Sequence, residues 1–349
     1  MSLDPWYIDN LRCPVDGSVL DWDGTALRSM AGRTYPVIDG MPVMLLPEKE
    51  QTMGLARASI ERAQGNPDII DRRAPDYYLE SLGISDEEKN RLVELVRSGQ
   101  GRIDPAVSML ISGTSGNAYA HLTGNAGLAE YPIPRIGLPA GDGRKLLDIG
   151  CNWGRWCIAA ARAGYRAVGV DPSLGAAMAA RRLARELGLP IRYVVGDGRW
   201  LPFAPESFHV VHSYSVLQHF SKADARQTLL KAGRLLKAGG TARIQMANKI
   251  GIRNWQQQKR RDFREPEGFE VRYWPVGELR DAFEAVIGPT RISVDCYFGL
   301  GWQWVDMKYM KPQHKPVLVA SEVLRQLSRL IPPMANVADS VFCTATKPG

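Results

Sequence analysis

The run Lys145-Leu-Leu-Asp-Ile-Gly-Cys-Asn-Trp-Gly154, followed by Trp156-Cys-Ile-Ala-Ala-Ala-Arg-Ala163 and Gly164, decides the fold. Leu146 to Ile149 is a short apolar stretch of strand length. The segment from Trp156 has the composition of a helix, and Gly164 stands where a helix C-cap is wanted. Between them lies a turn bracketed by Gly150 and Gly154. Glycine there permits positive φ and removes the Cβ, so a ligand can approach the backbone. Asn152 occupies the place of a middle glycine, and Asn is among the residues that best tolerate that conformation.

Working outward, the pattern repeats. Strands are predicted at 167–170, 191–195, 209–212, 241–246, 290–296 and 341–346, with helices at 174–187, 222–237 and 276–287. Strands alternating with helices imply an α/β chain: a doubly wound, seven-stranded, mostly parallel sheet covered on both faces. The last strand has no helix directly before its turn and is therefore expected as an antiparallel edge strand. Such a sheet places ligands beyond the carboxyl ends of its strands. Upstream, residues 8–47 are short and turn-rich, with Asp-Gly turns at 16–17, 23–24 and 39–40, and read as a small β module. Residues 55–100 read as mostly helical, Ser85-Asp-Glu-Glu88 having the form of a capping box. Residues 112–143 read as loop. The domain expectation is a module at 1–50, a helical connector and acceptor-side segment at 51–140, and a main domain at 141–349. Insertions fall at 248–275 and 297–340.

Composition bounds the rest. The 349 residues are 45% hydrophobic and 23% charged, enough for a sizeable core. No apolar run approaches the roughly 18–20 residues of a membrane span. The start lacks a basic and then apolar leader, and Met1 to Leu3 read as a cloning remnant. The five cysteines are scattered without a C-x-x-C pair, so neither a disulfide framework nor a structural zinc is expected. A cytoplasmic protein is the expectation. Net charge is +7, but residues 1–50 hold eight acidic and four basic side chains, so the remainder carries +11. A basic body suits anionic substrates or RNA, or is simply a solvated surface.

Three carboxylates end successive strands: Asp148, Asp171 in Gly-Val-Asp-Pro-Ser173, and Asp197 in Gly-Asp-Gly198. Asp171 lies 23 residues beyond Asp148, near the roughly 20 expected of an acid that bonds ribose hydroxyls. The set reads as a nucleoside site. The dinucleotide spacing G-x-G-x-x-G is absent, which argues against NAD, and no phosphate-cradling P-loop motif occurs.

These pieces, with Ser207-Phe-His-Val-Val-His-Ser-Tyr-Ser-Val-Leu-Gln-His-Phe220 and Leu236-Lys-Ala-Gly-Gly240, resemble the class I S-adenosylmethionine-dependent methyltransferases over about residues 110–349. The resemblance implies a Rossmann-like fold and S-adenosylmethionine as cofactor. Asp148, Gly150, Cys151, Asn152 and Gly154 would hold its methionine part. Asp171, with Pro172 and Ser173, would hold the ribose, and Asp197 with Gly198 the adenine. Ser213, Tyr214 and Ser215 would line its far side. His219 would face the cofactor cleft, as a general base for a hydroxyl acceptor or as a pocket-lining or capping histidine. His209 and His212 read as core.

Leu11-Arg-Cys-Pro-Val-Asp16 and Tyr35-Pro-Val-Ile-Asp-Gly-Met-Pro-Val43 resemble the small zinc-ribbon-type module that activates certain RNA and protein methyltransferases. Cys13 remains, but Asp16, Arg28 and Ala31 stand at the other three ligand places, so a metal-free scaffold is expected. The acceptor is expected to be a small molecule or saccharide methylated on oxygen, with RNA as the alternative. In the insertions, Trp255, Phe263, Phe269, Tyr273 and Trp274 are interleaved with cations and could contact an acceptor or pack as a lid. The apolar spacing of Val319, Val323, Leu324, Leu327 and Leu330 predicts a helix packed on the domain. Oligomeric state is left open.

Overall fold

The computed structural model describes residues 3–114, 119, 121, 128–299 and 301–349. Met1 and Ser2 of the suspected cloning remnant lie outside these, as do residues 115–118, 120 and 122–127 of the expected loop and Leu300 of the second insertion. The chain forms two compact units, Met1–Ala204 and Pro205–Gly349.

In the first unit, β1 (Leu20–Trp22), β2 (Ala26–Ser29), β3 (Thr34–Ile38) and β4 (Met41–Pro42) make an antiparallel sheet in chain order. Its turns fall where the Asp-Gly pairs predict. Asp23 Oδ1 accepts from the main chain of Thr25 and Ala26, and Asp39 and Gly40 both take positive φ, the requirement of a tight two-residue hairpin. Leu11, Leu20, Leu27, Met41 and Met44 are fully buried. The small sheet docks on the strands that follow. Met44 N donates to Val195 O at 2.7 Å, Arg12 N to Pro202 O at 2.9 Å, and the Tyr7 hydroxyl to Tyr193 O at 2.9 Å.

The connector is helical as expected. Helix Asp86–Ser98 opens on the Ser85/Glu88 capping box and ends at Gly99 in the left-handed region. A helix spans Pro105–Thr114, so the expected loop begins later than 112. Two connector serines act at a distance: Ser59 Oγ accepts from Leu174 N and Ser81 Oγ from Gly175 N, while Ser173 Oγ caps Ala176 N. The first turn of helix Leu174–Glu186 thus has three of its otherwise orphaned N–H groups satisfied by hydroxyls.

The same unit holds β5 (Lys145–Ile149), β6 (Arg166–Asp171) and β7 (Arg192–Val195), parallel, with Asp148 opposite Gly169 and Asp171 opposite Val195. The second unit holds β8 (Phe208–Ser213) parallel to β9 (Leu236–Ala247), then β10 (Thr290–Cys296) and β11 (Ser340–Thr346). All seven belong to one sheet of order β10-β11-β9-β8-β5-β6-β7, the expected α/β architecture. The last strand is antiparallel, but it lies between β9 and β10 and β10 is the edge. Side-chain character explains this. Val341, Phe342, Cys343 and Ala345 of β11 are all buried, which suits an interior strand, whereas Arg291 of β10 is exposed and several of its other residues are partly so.

One expectation fails in the second unit. In helix Lys315–Leu327 the buried residues are Leu318 and Ser321, while Val319, Val323 and Leu327 are 41%, 52% and 41% exposed and Leu330 just beyond is 81% exposed. Leu324 is partly buried, but the other four residues of the expected stripe face solvent, because the helix is seated by its opposite face, where Ser321 Oγ accepts from Tyr297 N at 3.0 Å.

Packing behind the turn is tight. A Cβ on Gly169 would sit 2.7 Å from Cys151 Sγ, 2.8 Å from Tyr193 Cδ1 and 2.9 Å from Cys157 Sγ. Gly169→Ala is therefore expected to cost about 1–3 kcal/mol by overpacking. Denaturant unfolding should show this loss, part of it recovered in the double variant with Cys157→Ala.

Candidate functional site

In the first unit the turn after β5 alternates conformations, with φ of +72° at Gly150, +47° at Asn152 and +82° at Gly154. Asn152 thus takes the left-handed conformation expected of it, and its Oδ1 accepts from Trp153 N at 2.7 Å. Gly154 has a further constraint: a Cβ there would lie 2.5 Å from the Tyr193 hydroxyl.

Asp171 organises this turn. Its Oδ2 accepts from Asn152 N at 2.9 Å and its Oδ1 from Ser173 N at 2.9 Å, so one carboxylate joins the β5 turn to the start of the next helix. Each oxygen keeps a second lone pair, which leaves room for two ligand hydroxyls. Burial pushes the carboxyl up to about 6 despite the two N–H donors, with the nearby Asp148 charge adding to the rise. Gly196 N donates to Asp171 O at 3.0 Å, tying the end of β6 to that of β7. Pro172 O accepts from Ser59 Oγ at 2.8 Å.

Asp148 is buried, and Cys157 Sγ approaches its Oδ2 at 3.5 Å. Cys151 is buried beside it, its thiol pushed up to about 11 by desolvation. Neither thiol is poised as a nucleophile. Asp197 is engaged: Arg199 donates to it through Nη2 at 2.6 Å and Nε at 3.0 Å, and Arg199 N adds a bond at 2.8 Å. Arg199 Nη2 also reaches Glu50 O at 2.8 Å. The third carboxylate therefore enters the site as an ion pair anchored on the end of the small module, with Gly198 in the loop between the partners. Residues 44–50 of that module stand beside the end of β7, a contribution that the motif reading missed.

The donor set fits an adenosyl ligand. Asp171 retains acceptor capacity suited to vicinal hydroxyls, and the turn offers glycine backbone for close approach. A phosphate fits poorly, since hydroxyls already cap the helix N-terminus after Asp171. A tetrahedral zinc does not fit the small module. Cys13 Sγ lies 3.1 Å from the Tyr35 hydroxyl, Asp16 accepts from Ser18 N, and Arg28 pairs with Asp23. Among the described residues no group of three or more His, Cys, Asp or Glu could hold a metal ion.

In the second unit, β8 ends at Ser213, which is fully buried, and Tyr214 follows. The Tyr214 hydroxyl donates to Asp295 Oδ2 at 3.1 Å, and Ser340 Oγ donates to the same oxygen at 2.9 Å. Burial pushes the Asp295 carboxyl up, opposed by those two hydroxyls and by the Arg243 charge. Gln245 Nε2 bonds Ser340 Oγ, Gln245 Oε1 accepts from Ser215 N at 2.7 Å, and Gln218 Nε2 donates to Ser215 Oγ at 2.9 Å. This chain of bonds ends beside His219, 3.5 Å from Gln218.

His219 is fixed from its other side. Its Nδ1 is 2.7 Å from Phe269 O, and its ring stacks on Phe269 with centroids 3.9 Å apart. A carbonyl can only accept, so Nδ1 carries the hydrogen and Nε2 the lone pair. Arg272 holds the clamp, its N donating to Gln218 O at 2.7 Å and its Nη1 to His219 O at 2.8 Å. Burial lowers the imidazole pKa below its ordinary value, the Arg272 charge adding to the effect. A neutral ring whose Nε2 lone pair is met only by the long 3.5 Å contact from Gln218 Nε2 is in the form a general base needs. Sequence reading named His219 and, among the insertion aromatics, Phe269, but did not single out Asp295, Gln245 or Arg272. Gln245 had one visible signal, a polar residue among the apolar Ile244, Met246 and Ala247 that end β9, whereas Asp295 stands in a mixed strand that gave none. Among the insertion aromatics, Trp274 is fully buried while Trp255, Phe263 and Phe269 are 46%, 55% and 50% exposed.

Against known proteins, residues 146–240 match a family model described as a methyltransferase domain. The chain is 35% identical over 107 residues to the ubiquinone biosynthesis O-methyltransferase of Azorhizobium caulinodans, covering 31% of this chain and 42% of that one. It is 35% identical over 99 residues to the enzyme of the same name from Brucella anthropi, covering 27% and 40%. The matches thus span about two fifths of these curated relatives. Among solved structures, Haemonchus contortus phosphoethanolamine N-methyltransferase 2 in complex with S-adenosyl-L-methionine is similar at 20% identity and a TM-score of 0.42, covering 62% of this chain and 51% of that one. Residues 146–240 therefore carry a methyltransferase domain.

The raised Asp171 pKa has a consequence for the ligand-free protein. Its folded value of about 6 lies above the ordinary 3.8, so its contribution to stability is full below pH 4 and is lost as pH rises through 6. Between pH 4 and 7 the wild type should lose about 2 kcal/mol more than Asp171→Asn, measured by denaturant unfolding at both pH values.

Proposed function

We propose that the chain is an S-adenosylmethionine-dependent methyltransferase that methylates an oxygen of a small-molecule or saccharide acceptor. The observation that carries this reading is the coincidence, within the matched domain, of a positive-φ turn with a buried carboxylate that retains lone pairs. The relatives' printed names, which concern O-methylation in ubiquinone biosynthesis, support an oxygen of a small acceptor.

On this reading Asp148, Gly150, Cys151, Asn152 and Gly154 hold the methionine part of the cofactor, and Asp171, Pro172 and Ser173 the ribose. Asp197, Gly198, Ser213 and Tyr214 complete the set. S-adenosylmethionine, when bound, supplies an electrophilic methyl group on a sulfonium. The protein's part is to orient the acceptor and take its proton. Good alignment of two reactants contributes on the order of 7–11 kcal/mol. His219 Nε2 accepts the acceptor's proton, while Phe269 O holds the tautomer and stacking fixes the plane of the ring. Tyr214 and Asp295 supply hydrogen-bonding capacity in the same unit.

RNA is the second reading, favoured by the net charge of +7 and by exposed Trp255 and Phe263 in a cation-rich insertion. Incubation with labelled S-adenosylmethionine and fractionated lysate separates the two. Label in small polar metabolites or glycans is the expected result, and label confined to RNA would replace the first reading with the second. Asp171→Ala should weaken cofactor binding by roughly 1.5–3 kcal/mol, as for a hydrogen bond to a charged group. Calorimetry checks this, with circular dichroism confirming the fold.

The pH profile tests His219. Because its pKa is lowered, kcat/KM should already be level by pH 7 and fall on acidification below the ordinary histidine value. His219→Asn should lower kcat by about 10²–10⁴-fold and abolish that acid limb. An unchanged profile would reduce His219 to a lining residue.

A further inference from the structure

The solvent-facing stripe on helix Lys315–Leu327 has no role in the chemistry above. Val319, Val323 and Leu327 recur at intervals of four residues, which places them within roughly 80° of arc at 100° per residue, and Leu330 follows in the turn after the helix. Ile331 continues the exposed apolar surface at 50% exposure. Leu318 and Ser321 point the other way and seat the helix. Five large aliphatic side chains along one element are more than the scattered single residues normal on a surface.

The charges around the stripe are one-sided. From Lys308 to Val337 the cations are Lys308, Lys311, Lys315, Arg325 and Arg329, and the sole acid is Glu322. Glu322 is neutralised by Arg325, whose Nη2 and Nε bond both its carboxylate oxygens. Lys308, Lys311 and Arg329 are exposed. By helix spacing Lys315 and Arg329 lie on one side of the stripe, and Lys308 and Lys311 precede the helix. An apolar face with cations beside it is complementary to an anionic lipid surface: aliphatic side chains enter the boundary of the acyl chains while the ammonium and guanidinium groups meet the headgroups. A second copy of this chain fits less well, since this segment brings no acid to meet those cations beyond Glu322, which Arg325 already holds. Among the described residues no helix is long and apolar enough to cross a membrane.

We propose that helix Lys315–Leu327 and the turn through Ile331 dock this protein on the surface of an anionic bilayer, lying in the plane of the interface. The contact is peripheral and reversible. It uses aliphatic burial for adhesion and cations for selection of charged lipid, and it is independent of the methyl-transfer reading.

The test is flotation of the full chain with vesicles of phosphatidylcholine alone or of phosphatidylcholine mixed with phosphatidylglycerol. Binding is expected to the mixed vesicles only and to weaken steeply with added salt. Leu327→Glu combined with Leu330→Glu should reduce it by about tenfold or more, as should Lys311→Glu combined with Arg329→Glu. These side chains are exposed, so thermal melts should be unchanged, as should S-adenosylmethionine affinity measured by calorimetry. Absence of binding to the mixed vesicles, or binding indifferent to both variants, overturns the proposal. A wild-type dimer in sedimentation that Leu327→Glu dissociates would assign the stripe to a second copy instead, and selective salt-sensitive retention of RNA through these cations would assign it to nucleic acid.

Discussion

The Asp171 carboxylate is the constraint on which the first unit's site depends. It accepts one N–H from Asn152 and one from Ser173, and so sets the left-handed turn after β5 against the helix after β6. Holding a carboxylate in that buried position is unfavourable in the ionised form, as its upward pKa shift records. The protein accepts this because the two oxygens, once fixed, still present lone pairs. On the proposed reading, stability and ligand recognition pull in opposite directions at this residue, as is common where a site is pre-organised.

The elements outside the matched segment support this arrangement. Ser59 and Ser81 come from the connector, more than ninety residues upstream in sequence, and cap the helix that follows Asp171. The small β module reaches the same region, through Met44 on Val195 and through the Glu50 carbonyl on Arg199. Its role in the structure is thus to complete the first unit beside the ends of β6 and β7. Cys13, Asp16 and Arg28, which the sequence reading set against the ligand places of a zinc ribbon, take part in a thiol–phenol contact, a turn and a surface ion pair.

The second unit follows a different logic. Polar side chains of β9, β10 and β11 and of the turn after β8 form one hydrogen-bonded series from Asp295 to Gln218, beside a histidine whose tautomer is set by a main-chain carbonyl. Such a series holds geometry because each bond fixes the side chain that makes the next, although Gln218 Oε1 at its end is buried without a hydrogen-bond partner among the described residues. The same unit also carries a helix whose apolar side is turned outward. Its pattern by spacing is indistinguishable from that of a helix packed on a core.

That ambiguity marks the division between sequence and tertiary structure. Local chemistry alone determined the alternating α/β order, the glycine-bracketed turn with Asn152 as a tolerated left-handed residue, the Ser85/Glu88 cap and the Asp-Gly hairpins, because each depends on backbone geometry within a few residues. Tertiary structure decided that β11 inserts between β9 and β10, that Asp197 is paired with Arg199, and that Val319, Val323, Leu327 and Leu330 face solvent. It also decided which nitrogen of His219 is basic, since Phe269 is fifty residues away in the chain. Periodicity reports that a helix has an apolar face, but only the packing of distant elements determines whether anything covers it.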